Sequence, residues 1–182
     1  MPTRVPTETT VDDPHPPPQR PGRGGVIACD EQDDEPVEVD RWRELAGSVL
    51  IAEGVSAVAE MSVLFVDSAV IADLNQEHLG ASGPTDVLSF PIDDVPGIDR
   101  REAGFDPPDP TDPTTLVLVG DVVICPAVAR RNAPTHAGTY DDEMALLVVH
   151  GVLHLLGMDH ATDAERDRMQ AREREYLDRF HR

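Results

Sequence analysis

The chain has 182 residues, enough for one domain of ordinary size with some to spare. Its 15 cations against 35 acids give a formal charge of −20, and every cation is Arg. With no lysine, neither Schiff-base chemistry nor a G-x-x-x-x-G-K-[ST] phosphate loop can be built; the acidic excess also runs against nucleic-acid binding, which cation contacts and counterion release drive.

Residues 1–39 hold eight of the 17 prolines, a run of glycines around Arg23 and the acidic stretch Asp30 to Glu35. So little apolar surface cannot offset the entropy of ordering, which predicts a disordered extension followed by one domain over 40–182. That domain is expected to open at Asp40 as a helix N-cap, with Trp42, Leu45, Ala46, Val49 and Leu50 at helical spacing and Gly54 as the stop. Ala57 to Val66 reads as a buried strand, and Ser68 to Leu79 as a helix presenting Ile71 and Leu74 and closed by Gly80.

Val87 to Phe90 predicts a short strand, and Thr115 to Ile124 a longer one in which Gly120-Asp121 makes a bulge or tight bend. Between them, residues 91–114 carry six prolines and many Asp, the composition of a solvated loop insertion. Pro126 can start a short helix to Asn132, and Tyr140 to Leu156 reads as a strongly apolar helix whose Asp141, Asp142 and Glu143 suit its positive N-terminal end. Thr162 to Glu165 matches a capping box opening a charged helix, with Met169, Tyr176 and Phe180 among its inward candidates. The core is expected to be aliphatic, since aromatics are 4% of the chain. No window approaches the ~18 apolar residues of a membrane span, so the expected address is the cytoplasm, with Cys29 and Cys125 as reduced, structural thiols.

The chemistry concentrates in His150-Gly-Val-Leu-His154-Leu-Leu-Gly-Met-Asp-His160. Histidines at i and i+4 stand on one helix face, and Gly157 lets the chain turn so that His160 can fold back as a third ligand. Three nitrogens with an open fourth position describe a catalytic zinc site, whereas structural sites are filled by four ligands. The spacing is shared with metzincin proteases, but those place Glu after the first histidine as general base, and here that residue is Gly151. Asp159 reads either as a proton-handling neighbour of the third ligand or as a cap, while His15, His78, His136 and His181 are scattered and read as structural.

The same eleven residues resemble the H-G-x-L-H-L-x-G-x-D-H motif of the YbeY family of bacterial metal-dependent endoribonucleases. Two further segments agree in order: Leu74-Asn75 followed by Pro84-Thr-Asp-Val-Leu-Ser-Phe-Pro91, and Gly120-Asp-Val-Val-Ile-Cys-Pro126. The resemblance covers roughly residues 40–180. It implies an α+β fold, a small mostly parallel sheet of about four strands packed with helices, with one zinc ion held by His150, His154 and His160 on the long helix of the C-terminal half. It also implies single-strand-specific cleavage in ribosomal RNA maturation, with single-stranded or ribosomal RNA and small-subunit components or assembly factors as partners, and no membrane.

Many members have an aromatic residue and Arg where His78 and Leu79 stand here; His78, or Arg130 and Arg131, are the candidate substitutes for that phosphate ligand. Two other readings stand beside this one: a peptidase using Asp159 as base, because the ligand spacing is shared, and a ribosome-assembly binding factor whose zinc is chiefly structural, motivated by Leu79 in place of Arg.

Overall fold

A computed structural model describes residues 25–55, 59–92 and 117–182. Strand β1 (Gly25–Asp30) leads through helix α1 (Val39–Ala52) to β2 (Ala59–Phe65), and α2 (Ser68–Leu79) to β3 (Val87–Pro91). Then come β4 (Val117–Ile124), α3 (Pro126–Asn132), a short 3-10 turn (Ala133–Thr135), α4 (Tyr140–Leu155) and α5 (Asp163–Phe180). The sheet order is β1-β2-β4-β3; β1, β2 and β4 are parallel, and β3 runs antiparallel along β4 at the edge. This is the α+β architecture and mostly parallel four-stranded sheet expected.

Strand alternation sorts the apolar residues between the two faces. Met61, Val63, Phe65, Val122 and Ile124 join the main core beneath α1 and α4, while Leu64 and Val123 pack in a second cluster with Leu88, Val128 and Ile71 of α2. The five apolar residues assigned to the first helix, Trp42, Leu45, Ala46, Val49 and Leu50, are all buried. Its cap position is Glu38, which makes no side-chain cap bond; Asp40 sits inside the first turn and pairs with Arg43 at 2.9 Å.

Glu60 pairs with Leu118 but Met61 with Gly120, so Val119 is the extra residue of a bulge in β4, one position before the expected bend. Gly120 takes a φ of +139°, and a Cβ there would strike the Phe90 carbonyl oxygen across the strand pair.

The expected boundary at residue 40 is corrected by β1. Residues 25–38, assigned to the extension on composition, belong to the domain: Gly25–Asp30 pair in register with Glu60 to Phe65 of β2, and Val26 is buried. Behind the strand, the buried Gln32 side chain closes a turn by donating to Asp30 and to the Glu35 carbonyl and accepting from the Asp34 and Glu35 amides. Arg130 of α3 then pairs with Glu35 and lies 4.0 Å over the Tyr140 ring, whose hydroxyl donates to the Pro36 carbonyl. A few apolar residues and these directed polar contacts order a segment that its flanking composition disguised. Residues 1–24, and all of the proposed 91–114 insertion beyond Ile92, lie outside the described residues.

Candidate metal centre

Helix α4 is the most enclosed of the long helices, with ten of its sixteen residues buried. Thr139 caps it by accepting from the Asp142 amide at 3.1 Å. Near its end His150 and His154 stand half-buried one turn apart, the helix stops after Leu155, and Gly157 at φ +85° turns the chain. The exposed His160 then returns to the other two: ring centroids lie 4.5 Å (150–154), 5.7 Å (150–160) and 5.0 Å (154–160) apart. One nitrogen from each lies within 4.8 Å of the others, and among the described residues this is the cluster able to hold a metal ion.

The surrounding chemistry fits that use. His150 Nδ1 donates to Glu173 Oε1 of α5 at 2.7 Å, which fixes the tautomer and leaves Nε2 for an ion. Burial, and then the neighbouring His150 and His160, push the His154 pKa down, favouring the neutral imidazole that a metal requires. Asp159 accepts from the amide of the adjacent His160 at 2.7 Å, while the helix that follows is capped by Thr162. Two imidazoles one turn apart on a helix and a third on the following turn make an open, nitrogen-rich donor set.

Gly151 explains why no general base follows the first histidine. A Cβ at this position would lie 2.5 Å from Val122 Cγ1, so α4 rests on β4 with no room for a side chain between them. Ser89 of β3 reinforces the contact by donating to the Gly151 carbonyl at 3.2 Å. A Glu here would point into the sheet and not toward the histidines.

The two other motifs converge beside this helix. The Asp86 carbonyl accepts from the Cys125 amide at 2.9 Å, and the Asp86 carboxylate accepts from Asn132 Nδ2 at 3.1 Å. His136 donates to Glu143 at 2.9 Å, His181 contacts Asp142 at 3.1 Å, and His78 stacks edge-on to Phe90, so these three have structural partners. His15 lies outside the described residues. Leu79 is 67% exposed at the end of α2. Cys29 and Cys125 are both free thiols.

Sequence reasoning missed two acids. Glu143 was assigned to the helix dipole, yet it is fully buried, held by His136 and the Ala137 amide. Glu173 follows Met169 by one turn on the inward stripe of α5, and that spacing was the available signal.

Fold and site together define an α+β protein with a three-histidine centre on one helix and the turn behind it. Residues 27–181 match the family described as Endoribonuclease YbeY. Proteins named endoribonuclease YbeY are similar along most of the chain: 45% identical over 143 residues in Frankia casuarinae, covering 78% of this chain and 68% of that protein, and 48% over 136 residues in Acidothermus cellulolyticus, covering 72% and 78%. The solution structure of TM1509 from Thermotoga maritima shares the fold, with a TM-score of 0.53 at 24% identity over 84% of this chain and 87% of that one. The chain belongs to the endoribonuclease YbeY family.

Proposed function

We propose that this protein is a cytoplasmic, zinc-dependent endoribonuclease that cuts single-stranded RNA during small-subunit ribosomal RNA maturation and ribosome quality control. The observation that carries the reading is the convergence of His150, His154 and His160 nitrogens, with Glu173 engaging the other nitrogen of His150. The names of the relatives supply the substrate class. Among the described residues no helix is long and apolar enough to cross a membrane.

In this reading the three histidines hold the ion through nitrogen, and Glu173 keeps the His150 proton on Nδ1 so that the ring cannot turn away. Zinc, when bound, polarises a phosphoryl oxygen and lowers the pKa of water. Asp159, by accepting from the His160 amide, ties down the backbone that carries the third ring, and Gly151 keeps the ligand helix seated on the sheet.

The test is cleavage of end-labelled ribosomal RNA by the zinc-loaded protein beside His154→Ala prepared identically. Cleavage and one bound zinc in the parent, with both lost in the variant, are expected; zinc-dependent cleavage retained by His154→Ala overturns the site assignment.

A further inference from the structure

A cavity of about 320 Å³ opens beside the histidine cluster, and His150 and His160 form part of its wall. Val87 of β3, Leu146 of α4 and Met169 of α5 give it an apolar lining, Met169 being buried and the other two half-buried. Gln170 and Arg166 of α5 lie at the same wall, and Asp86 lies on the β3 side. Its volume falls at the lower end of the ~300–1,000 Å³ of small-ligand sites, room for one unstacked nucleotide and not for a duplex.

The charges lining it are unevenly committed. Glu173 is engaged by His150, and Asp86 accepts from the Val87 amide at 3.0 Å and from Asn132 at 3.1 Å. Among the described lining residues, Arg166 is the side chain with a permanent positive charge. It pairs with Asp163 at 2.8 Å, but that carboxylate is 93% exposed and the guanidinium 51%, so the pair holds it weakly. A phosphate offers the same guanidinium two oxygens in fork geometry, a stronger partner than a solvated surface carboxylate.

Resting on the endoribonuclease reading, we infer that this cavity is a subsite for one nucleotide of single-stranded RNA, adjoining the nucleotide at the histidines. Arg166 holds its phosphate, and Val87, Leu146 and Met169 receive its base. The single guanidinium and the apolar lining then select an unpaired strand, because a base inside a helix cannot leave its stack at no cost.

The experiment measures anisotropy of a short fluorescent 2′-O-methyl RNA with the zinc-loaded full chain across a salt series, the RNA being checked intact on a gel. Arg166→Ala is expected to weaken binding about ten-fold and to flatten the log–log salt slope by ~0.7, one phosphate contact on a single strand. Arg166→Lys keeps the slope, Gln170→Glu weakens binding by placing a negative charge at the wall, and Arg168→Ala, on α5 but away from the cavity lining, leaves affinity unchanged. AMP is expected to compete better than ribose 5-phosphate, reporting the base. Zinc stoichiometry and helical circular dichroism of each variant establish that α4 and α5 remain assembled. Parent-like binding and slope in Arg166→Ala, or equal competition by ribose 5-phosphate, overturn the subsite while parental cleavage leaves the enzyme reading standing. A zinc-loaded parent that neither binds nor cuts RNA overturns both.

Discussion

Glu173 on α5 accepts a hydrogen bond from His150 Nδ1 on α4 at 2.7 Å, joining two positions 23 residues apart. Packing α5 onto α4 therefore sets the orientation of a ligand ring that α5 itself does not carry. Substituting Glu173→Ala is expected to weaken zinc affinity by about 10–100-fold. Glu173→Gln, which keeps an acceptor oxygen and loses the charge, should fall between variant and parent. A chelator-competition titration measures both, and unaltered affinity in the alanine variant would show that His150 needs no partner.

Gly151→Ala places a methyl 2.5 Å from Val122 Cγ1, at a helix–sheet contact already closed by the Ser89 bond. Overpacking of this kind costs about 1–3 kcal/mol. The expected result is a lowered Tm, and in the double variant Gly151→Ala, Val122→Ala much of that loss is recovered. Loss of equal size in the double variant would contradict the packing account.

His136 is held above the ordinary histidine value of 6.5 by its hydrogen bond to Glu143, with the charges of Glu143, Asp86 and Glu173 adding to this against partial burial. A raised folded-state pKa contributes stability that is fully present below the unfolded value and is lost as pH rises through the folded one. The Tm gap between parent and His136→Gln is thus expected to be widest below about pH 6 and to narrow through neutrality and above. An NMR titration of His136 should show its pKa falling in Glu143→Gln. A gap independent of pH would separate the stability of this corner from the protonation of His136.

Thr162 and Glu165 make reciprocal cap bonds, Thr162 Oγ1 accepting from the Glu165 amide at 3.3 Å and Glu165 accepting from the Thr162 amide at 2.8 Å. Thr162→Ala is expected to cost about 1 kcal/mol by chemical denaturation. Because the cap lies between His160 and Glu173, zinc affinity should fall with it, though by less than in Glu173→Ala.

What could be read from the sequence was local. The pair His150 and His154 is fixed by helical periodicity alone, and Gly157 announces the turn that returns His160. The capping box and the α1 core stripe were legible for the same reason, since each is written within a few turns of chain. Strand β1 was hidden because Val26-Ile27-Ala28-Cys29 is a short apolar run inside a segment dominated by Pro, Gly and acid, and pairing with β2 decides its state. The missing Glu after His150 was visible, but its reason, the close approach of Val122 from a distant strand, was not. Glu143 and Glu173 were likewise readable as surface acids until the fold supplied their histidines.

The three histidines are mounted unequally: His150 and His154 ride a helix enclosed by core, whereas His160 is exposed on the non-helical stretch beyond Gly157. In the proposed zinc-bound state the outer ring is expected to swing off first while the helical pair keeps a weaker two-point grip. Metal residence time would then depend on that short tether more than on the buried helix, and stiffening or loosening residues 157–162 is expected to slow or quicken exchange.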